Sequence, residues 1–374
     1  MDITFQFIDV VLFVGICQGI FLSLTLQRIS NNNQTANRIL SYLIAIATIM
    51  LIGRFIYFRF LSYWVFQWSI LVDAIVFLFG PFIYIYIKRL LFKGNATFWL
   101  PKIHFLPFLG MVFFALFYII KDTPEAYYDF FVNGNLLLYF RIITVFMIVF
   151  NVYYVIKSFQ LLSKYKKTEK DVFSFNQTPI TYINVFLISI LVCLLAWSFS
   201  ELNSWGFKNA IPYIDYDSIW VAIPIFIYVI GYFSLKQPEL FQIKEEKKNV
   251  SKRERLSEDE SQLLQKKLDS LMINEKVFLQ NDLTLSEVAK MLQTSTNNLS
   301  WLLNQVYETT FYDFINSYRV KEFVKKVQNK EHLKHTILAL SMDVGFNSKS
   351  TFNKAFKDTM RETPSNYIKK HRAA

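Results

Sequence analysis

Apolar residues dominate the first 235 positions, and mixed polar and apolar positions at helical spacing follow. Seven apolar stretches stand out, at 5–26, 39–58, 69–87, 103–120, 136–156, 181–200 and 217–235. A bilayer core takes about 20 apolar residues per helix, so each stretch predicts one transmembrane helix. The first is too long, and too closely followed by others, for a cleaved signal peptide. Gly80-Pro81 and Pro224 interrupt the third and seventh stretches. Such breaks are tolerated where neighbouring helices satisfy the freed carbonyls.

The pattern changes after Lys236. Residues 236–258 mix both signs of charge without an apolar period and predict an exposed cytoplasmic linker, able to lie against anionic headgroups. From 259 to 280 a lead-in helix carries Leu263, Leu264, Leu268 and Leu271 on one side. Thr284 and Glu287 form a capping box before a helix with Leu285, Val288, Ala289 and Leu292 on its apolar face. After the turn "QTST", the next helix buries Leu299, Leu302, Leu303 and Val306. It turns Asn297, Asn298, Ser300, Trp301 and Asn304 outward. A long helix runs from Phe311 to Gln328, and the pattern then repeats. Ile337, Leu340, Ser341 and Val344 make the apolar face, and Gly345 suits a left-handed helix end. Ser348 caps a helix that buries Phe352, Ala355, Phe356 and Met360 and exposes Lys349, Ser350, Asn353, Lys354 and Lys357. "FYDFI" at 311 and "PSNYI" at 364 open equivalent helices, so the region reads as a duplicated helix-turn-helix.

Charge sets an orientation. The first, third and fifth connections carry Arg28 and Arg38; Lys88, Arg89, Lys93 and Lys102; and Lys157, Lys164, Lys166, Lys167 and Lys170. The even connections are poorer, with Arg59, Lys121 and Lys208, and they hold Asp122, Glu125, Asp129 and Asp215. Cationic loops stay in the cytoplasm. The N-terminus is therefore expected outside and everything after Leu235 inside, with Trp64 and Trp68 at the outer interface. Asp9, Arg54, Asp73, Arg141 and Glu201 then fall in the outer half of the spans. Intramembrane charges are paired or face a cavity. Arg54, Asp73, Arg141 and Glu201 are candidate residues of an outward-facing pocket, with interfacial snorkelling or structural ion pairing as the plain alternative.

The net charge of +11 suits an anionic partner, either phosphate backbone or lipid headgroups. Cys17 and Cys193 both sit in apolar runs and read as free thiols. The histidines, His332 and His335 included, lack the four-ligand frame of a zinc site. No HExxH, phosphate loop or Ser/His/Asp set occurs, so neither an enzyme nor a cofactor is expected.

"LTLSEVAKMLQTSTNNLS" with "TFYDFINSYRV", and "ILALSMDVGFNSKSTFNKAFK" with "TPSNYI", resemble the AraC/XylS-family DNA-binding domain. The likeness covers nearly all of the C-terminal region. It implies two helix-turn-helix subdomains on a linker helix, with both recognition helices in successive major-groove segments of double-stranded DNA. It also implies base contacts from Asn297, Trp301, Lys349 and Lys354, within a candidate DNA-binding face that includes Asn298, Ser300, Asn304, Ser348 and Asn353. Ser350 and Lys357 suit phosphates, and Arg319 and Lys321 are either phosphate contacts or structural. The chain departs from the family at Glu308 and Arg361, where glycine is common, and at Phe323, where a small residue is common. The first recognition helix has no Lys or Arg.

The expected architecture is thus all-α: a seven-span domain (1–235), a charged linker (236–258) and an AraC-type domain (259–374). The pairing resembles membrane-bound regulators of Bacteroidetes-like bacteria. It implies a multi-pass protein of the inner membrane that binds promoter DNA and responds to a small-molecule or membrane-protein signal, with a homodimer as one arrangement. The alternative gives the spans a transport or partner-binding role that only tethers the DNA-binding domain.

Overall fold

The computed structural model describes residues 7–29, 33–93, 98–134, 136–175, 179–206, 219–236, 243–244 and 256–372. The sixth connection, with Lys208 and Asp215, and most of the 236–258 linker lie outside them. Among the described residues the architecture is helical, apart from a two-residue parallel pairing of β1 (Phe92–Lys93) with β2 (Ile243–Lys244) and a bridge between Phe173 and Thr284. Two compact units form. The first comprises 1–163 and 178–245, the second 164–177 and 246–374.

The first unit holds α1 (Phe7–Arg28), α2 (Gln34–Arg59), α3 (Tyr63–Ala74), α4 (Val76–Leu91), α5 (Leu106–Lys121), α6 (Pro124–Val132), α8 (Pro179–Gly206), α9 (Ile219–Lys236) and the first part of α7 (Leu137–Val172). Six helical stretches among the described residues are long and apolar enough to cross a membrane, α3 and α4 counting as one, Tyr63–Leu91. The seventh expected span folds as α9, whose side chains are described only in its middle. Large apolar side chains face outward: Phe113 is 75% exposed and Ile120 83%. A continuous apolar exterior of this kind suits lipid rather than water.

Small residues let the helices meet closely. A Cβ on Gly15 would come within 2.7 Å of Pro224, and one on Gly80 within 2.7 Å of Tyr154. The expected break at Gly80-Pro81 does not form: α4 runs on through Pro81, and the third apolar stretch is interrupted at Ile75 instead, between α3 and α4. The backbone just before the proline is bonded by Asn151. Its Oδ1 accepts from Gly80 N at 2.8 Å and its Nδ2 donates to the Val76 carbonyl at 3.3 Å. One amide thus serves both Gly80 N and Val76 O, the two ends of one helical step, in surroundings where hydrocarbon offers them no other partner. Gln67 does similar work at the end of α5, donating to the carbonyls of Tyr118 and Asp122.

The second unit holds α10 (Glu258–Ile273), α11 (Leu285–Met291), α12 (Thr296–Gln305), α13 (Phe311–Gln328), α14 (Ile337–Asp343), α15 (Lys349–Met360) and α16 (Pro364–Arg372). Ser257 and Thr284 each close a capping box, with Glu260 and Glu287. Glu260 is held below the usual carboxylate range by its bonds to Ser257. Helix α13 joins two cores. Phe311, Phe314 and Ile315 enter the first, with Leu264, Leu268, Val288, Leu299 and Leu303. Val320, Phe323 and Val327 enter the second, with Leu340, Phe352 and Phe356. Two expectations fail here. Leu263 is 56% exposed and Val306 41%, and Met272 instead fills the space beneath α10. Val306 follows the last turn of α12, where the chain is already leaving the core.

The duplication is visible residue by residue. Thr284, Ser295 and Thr310 cap helices in the first half as Thr336, Ser348 and Thr363 do in the second. Glu308 and Arg361 both adopt left-handed backbone, with φ of 49° and 60°. A side chain there is strained by about 1 kcal/mol relative to glycine. Glu308→Gly and Arg361→Gly are therefore each expected to raise stability by roughly 0.5–1 kcal/mol, read as a higher denaturant midpoint of the second unit.

Candidate nucleic-acid interface and membrane cavity

Each recognition helix is fixed by a cap at its start and an apolar face along its length. In α12, Ser295 Oγ accepts from Asn298 N at 3.1 Å, and Leu299, Leu302 and Leu303 are buried. In α15, Ser348 Oγ accepts from Thr351 N at 3.1 Å, and Thr351, Phe352, Ala355 and Phe356 are buried. This rotation leaves Asn297 and Asn304 exposed on α12, and Lys349, Ser350, Asn353, Lys354 and Lys357 exposed on α15. Asn298, Ser300, Trp301 and Ser348 are half-buried.

Local bonds divide these residues further. Trp301 packs against the first core. Asn298 Nδ2 donates to Thr294 Oγ1 at 3.4 Å, and Asn304 Nδ2 to Ser300 Oγ at 3.3 Å. The Ser348 hydroxyl is engaged with Thr351 as the cap. Ser348 therefore sets where α15 begins, and Lys349, Asn353, Lys354 and Lys357 form its accessible polar face. The bulky Phe323 of α13 is accommodated, its ring lying 4.7 Å from Phe352 and 5.7 Å from Phe356, centroid to centroid.

Arg319 and Lys321 of the linker helix separate. Lys321 is exposed, its ammonium 5.3 Å from the Tyr318 ring. Arg319 is wholly buried, so a phosphate contact from it is excluded and its role is structural. Burial lowers its pKa to about 10, which leaves it charged at neutral pH.

In the first unit, Arg54 and Asp73 line one cavity of about 290 Å³ with Gly53, Tyr57, Phe66, Tyr127, Phe131 and Thr144. The Arg54 guanidinium lies 4.7 Å from the Tyr57 ring centroid and 4.5 Å from that of Phe58. Arg141 and Glu201 are not among the residues lining it. Glu201 instead accepts from Trp197 Nε1 at 3.1 Å and lies within electrostatic reach of Arg141. Asp9 pairs with Arg59. The four candidate pocket residues thus divide into a cavity pair and a second pair apart from it.

Two helix-turn-helix units sharing one long helix, with both recognition faces open, define a DNA-binding domain. Residues 288–370 match the family described as a helix-turn-helix domain, of the AraC type. The match covers the C-terminal part of the chain, and it suggests a DNA-binding transcription regulator. No curated protein and no solved structure matches the chain.

Phosphate contacts position a protein on DNA, whereas base contacts specify sequence. If Lys357 holds a phosphate, as its place on the exposed face of α15 leads one to expect, Lys357→Ala weakens binding about equally on all sequences. It should also reduce the slope of log K against log salt by about 1, measured on operator and random duplexes over a salt series.

Proposed function

We propose that the protein is a membrane-held one-component transcription regulator. In this reading the apolar helices sense a signal and the paired helix-turn-helix units bind promoter DNA on the cytoplasmic side. The observation that carries it is one chain holding both parts: six helices able to cross a bilayer and two capped recognition helices with their polar faces open. The orientation has separate support. Residues 164–177, from the fifth connection, belong to the same compact unit as the helix-turn-helix pair. Two parts of one unit share one side of a membrane. The cationic connections assign that side to the cytoplasm.

Asn297, Trp301, Lys349 and Lys354 read base edges in this proposal. Asparagine matches adenine and lysine matches the guanine acceptors. Ser350 and Lys357 hold phosphates. The signal enters through the cavity of Arg54 and Asp73, walled by aromatic rings. A ligand there acts by its different affinity for two arrangements of the bundle.

The test is a genome-wide pull-down of DNA with tagged full-length protein, beside a Lys349→Ala/Lys354→Ala control. Discrete promoter peaks lost in the control support the reading. Equal recovery of DNA by both chains, with membrane insertion intact, overturns it.

A further inference from the structure

The buried Arg319 makes five hydrogen bonds that use every N–H of its guanidinium. Nε donates to the Phe278 carbonyl at 2.7 Å, and Nη2 to the Gln280 carbonyl at 2.5 Å. Nη1 donates to Asn316 Oδ1 at 3.1 Å. The remaining two go to one distant residue, Ser174: Nη1 to its carbonyl at 3.0 Å and Nη2 to its hydroxyl at 3.1 Å. None of the five acceptors is a carboxylate.

Ser174 follows α7, the long helix that carries the fifth apolar stretch. Its surroundings are those of a built-in part of the DNA-binding unit. Ser174 N and Oγ both donate to the Leu283 carbonyl, at 3.2 and 2.8 Å. Asn316 Nδ2 donates to the Ser174 carbonyl at 3.1 Å. Phe173 forms an antiparallel bridge with Thr284, the residue that caps the first helix of the helix-turn-helix. Phe173, Ser174 and Phe175 are all buried, and the Lys170 ammonium lies 6.0 Å from the Tyr312 ring of α13. Helix α7 runs without a break over 36 residues, about 54 Å at the usual rise, nearly twice a bilayer core.

Arg319 also touches the second half of the domain. Its guanidinium lies 5.8 Å from the Phe346 ring, and the neighbouring Gly345 leaves no room for a Cβ, which would lie 2.6 Å from the Phe278 carbonyl oxygen. The segment 173–175 therefore ends at the residue that joins both helix-turn-helix units. The contact leaves the polar faces of α12 and α15 exposed.

We infer that the turn after the fifth span is a docking element, held on the linker helix by Arg319, through which the membrane helices set the arrangement of the two helix-turn-helix units. A shift of α7 along its axis moves Ser174, and Ser174 shares Arg319 with the carbonyls of Phe278 and Gln280. The covalent linker then only tethers, and the signal travels through the docked turn. This rests on the membrane-held reading above.

The experiment places a specific protease site within 246–255 of the full-length chain, reconstituted in discs of neutral lipid and captured by an N-terminal tag. After cleavage at high salt, the retained share of the C-terminal fragment is measured for wild type, Arg319→Met and Ser174→Pro. Wild type is expected to keep most of its fragment, and both variants to release it. Ser174→Pro lies outside the helix-turn-helix sequence and keeps the test valid if Arg319→Met fails to fold. Complete release of a protease-resistant fragment from wild type overturns the inference, and so does equal retention by all three chains. A chain that inserts and binds DNA yet releases its fragment leaves the membrane-held reading standing. Failure to insert overturns that reading itself.

Discussion

Replacing Lys349 and Lys354 together by alanine is expected to weaken operator binding on the order of 1000-fold, since each well-placed base contact is worth about 1–3 kcal/mol. Both side chains are exposed on α15, which carries the cationic charge of the two recognition helices. Helix α12, Thr296–Gln305, offers only polar and apolar groups. Affinity should therefore be concentrated in the second unit, and the first should contribute selectivity through Asn297 and neighbours. The measurement is titration of labelled duplex with full-length protein at fixed salt, for wild type, the double variant and Asn297→Ala. The double variant should lose affinity for random DNA as well as for operator. Asn297→Ala should lose only the preference for operator. Buried residues hold α15 in place independently of these lysines, so the double variant should unfold at the wild-type denaturant midpoint. A double variant that binds operator as tightly as wild type would move the interface to another face of the domain.

How far the sequence disclosed this structure depends on the range of each signal. Helix-period patterns and caps are local, and they placed α13 at Phe311–Gln328 and began α15 after Ser348, as the structure has them. Left-handed backbone at Glu308 and Arg361 was legible from the glycines that resemblance led one to expect there. The exposed lysines of α15 followed from the same periodicity. The bonds of Asn151 to Gly80 and Val76 were not legible, because these residues meet only when α4 and α7 pack, and the break expected at Gly80-Pro81 falls at Ile75. The 164–177 segment was read by its lysines as a plain cytoplasmic connection. One signal was present: Phe173 and Phe175 flank Ser174 in a lysine-rich stretch, and apolar rings in a charged segment need a surface to cover them. The division of Arg54 with Asp73 from Arg141 with Glu201 depends on helix rotations that hydropathy does not carry.

Arg319→Met is expected to destabilise the DNA-binding unit by about 4 kcal/mol, the largest stability effect predicted for the second unit. Methionine matches the aliphatic stem and supplies none of the five donors. The carbonyl of Phe278 would remain buried without its donor, and that of Gln280, at the edge, would lose a charged partner. Charge-assisted bonds contribute about 1.5–3 kcal/mol each but do not add, because the removal of one side chain lets the others relax. Arg319→Lys should recover little. An ammonium has three donors at one point, whereas the acceptors here surround a planar fork. Lys321→Met, two positions away and exposed, should change stability by less than about 0.5 kcal/mol. Pulse proteolysis of the full-length chain across a urea series, following the C-terminal unit by antibody, reads all three. If Arg319→Met and Lys321→Met unfold at the same urea concentration, the guanidinium does not hold the unit together, and the two helix-turn-helix halves rely on their separate apolar cores alone.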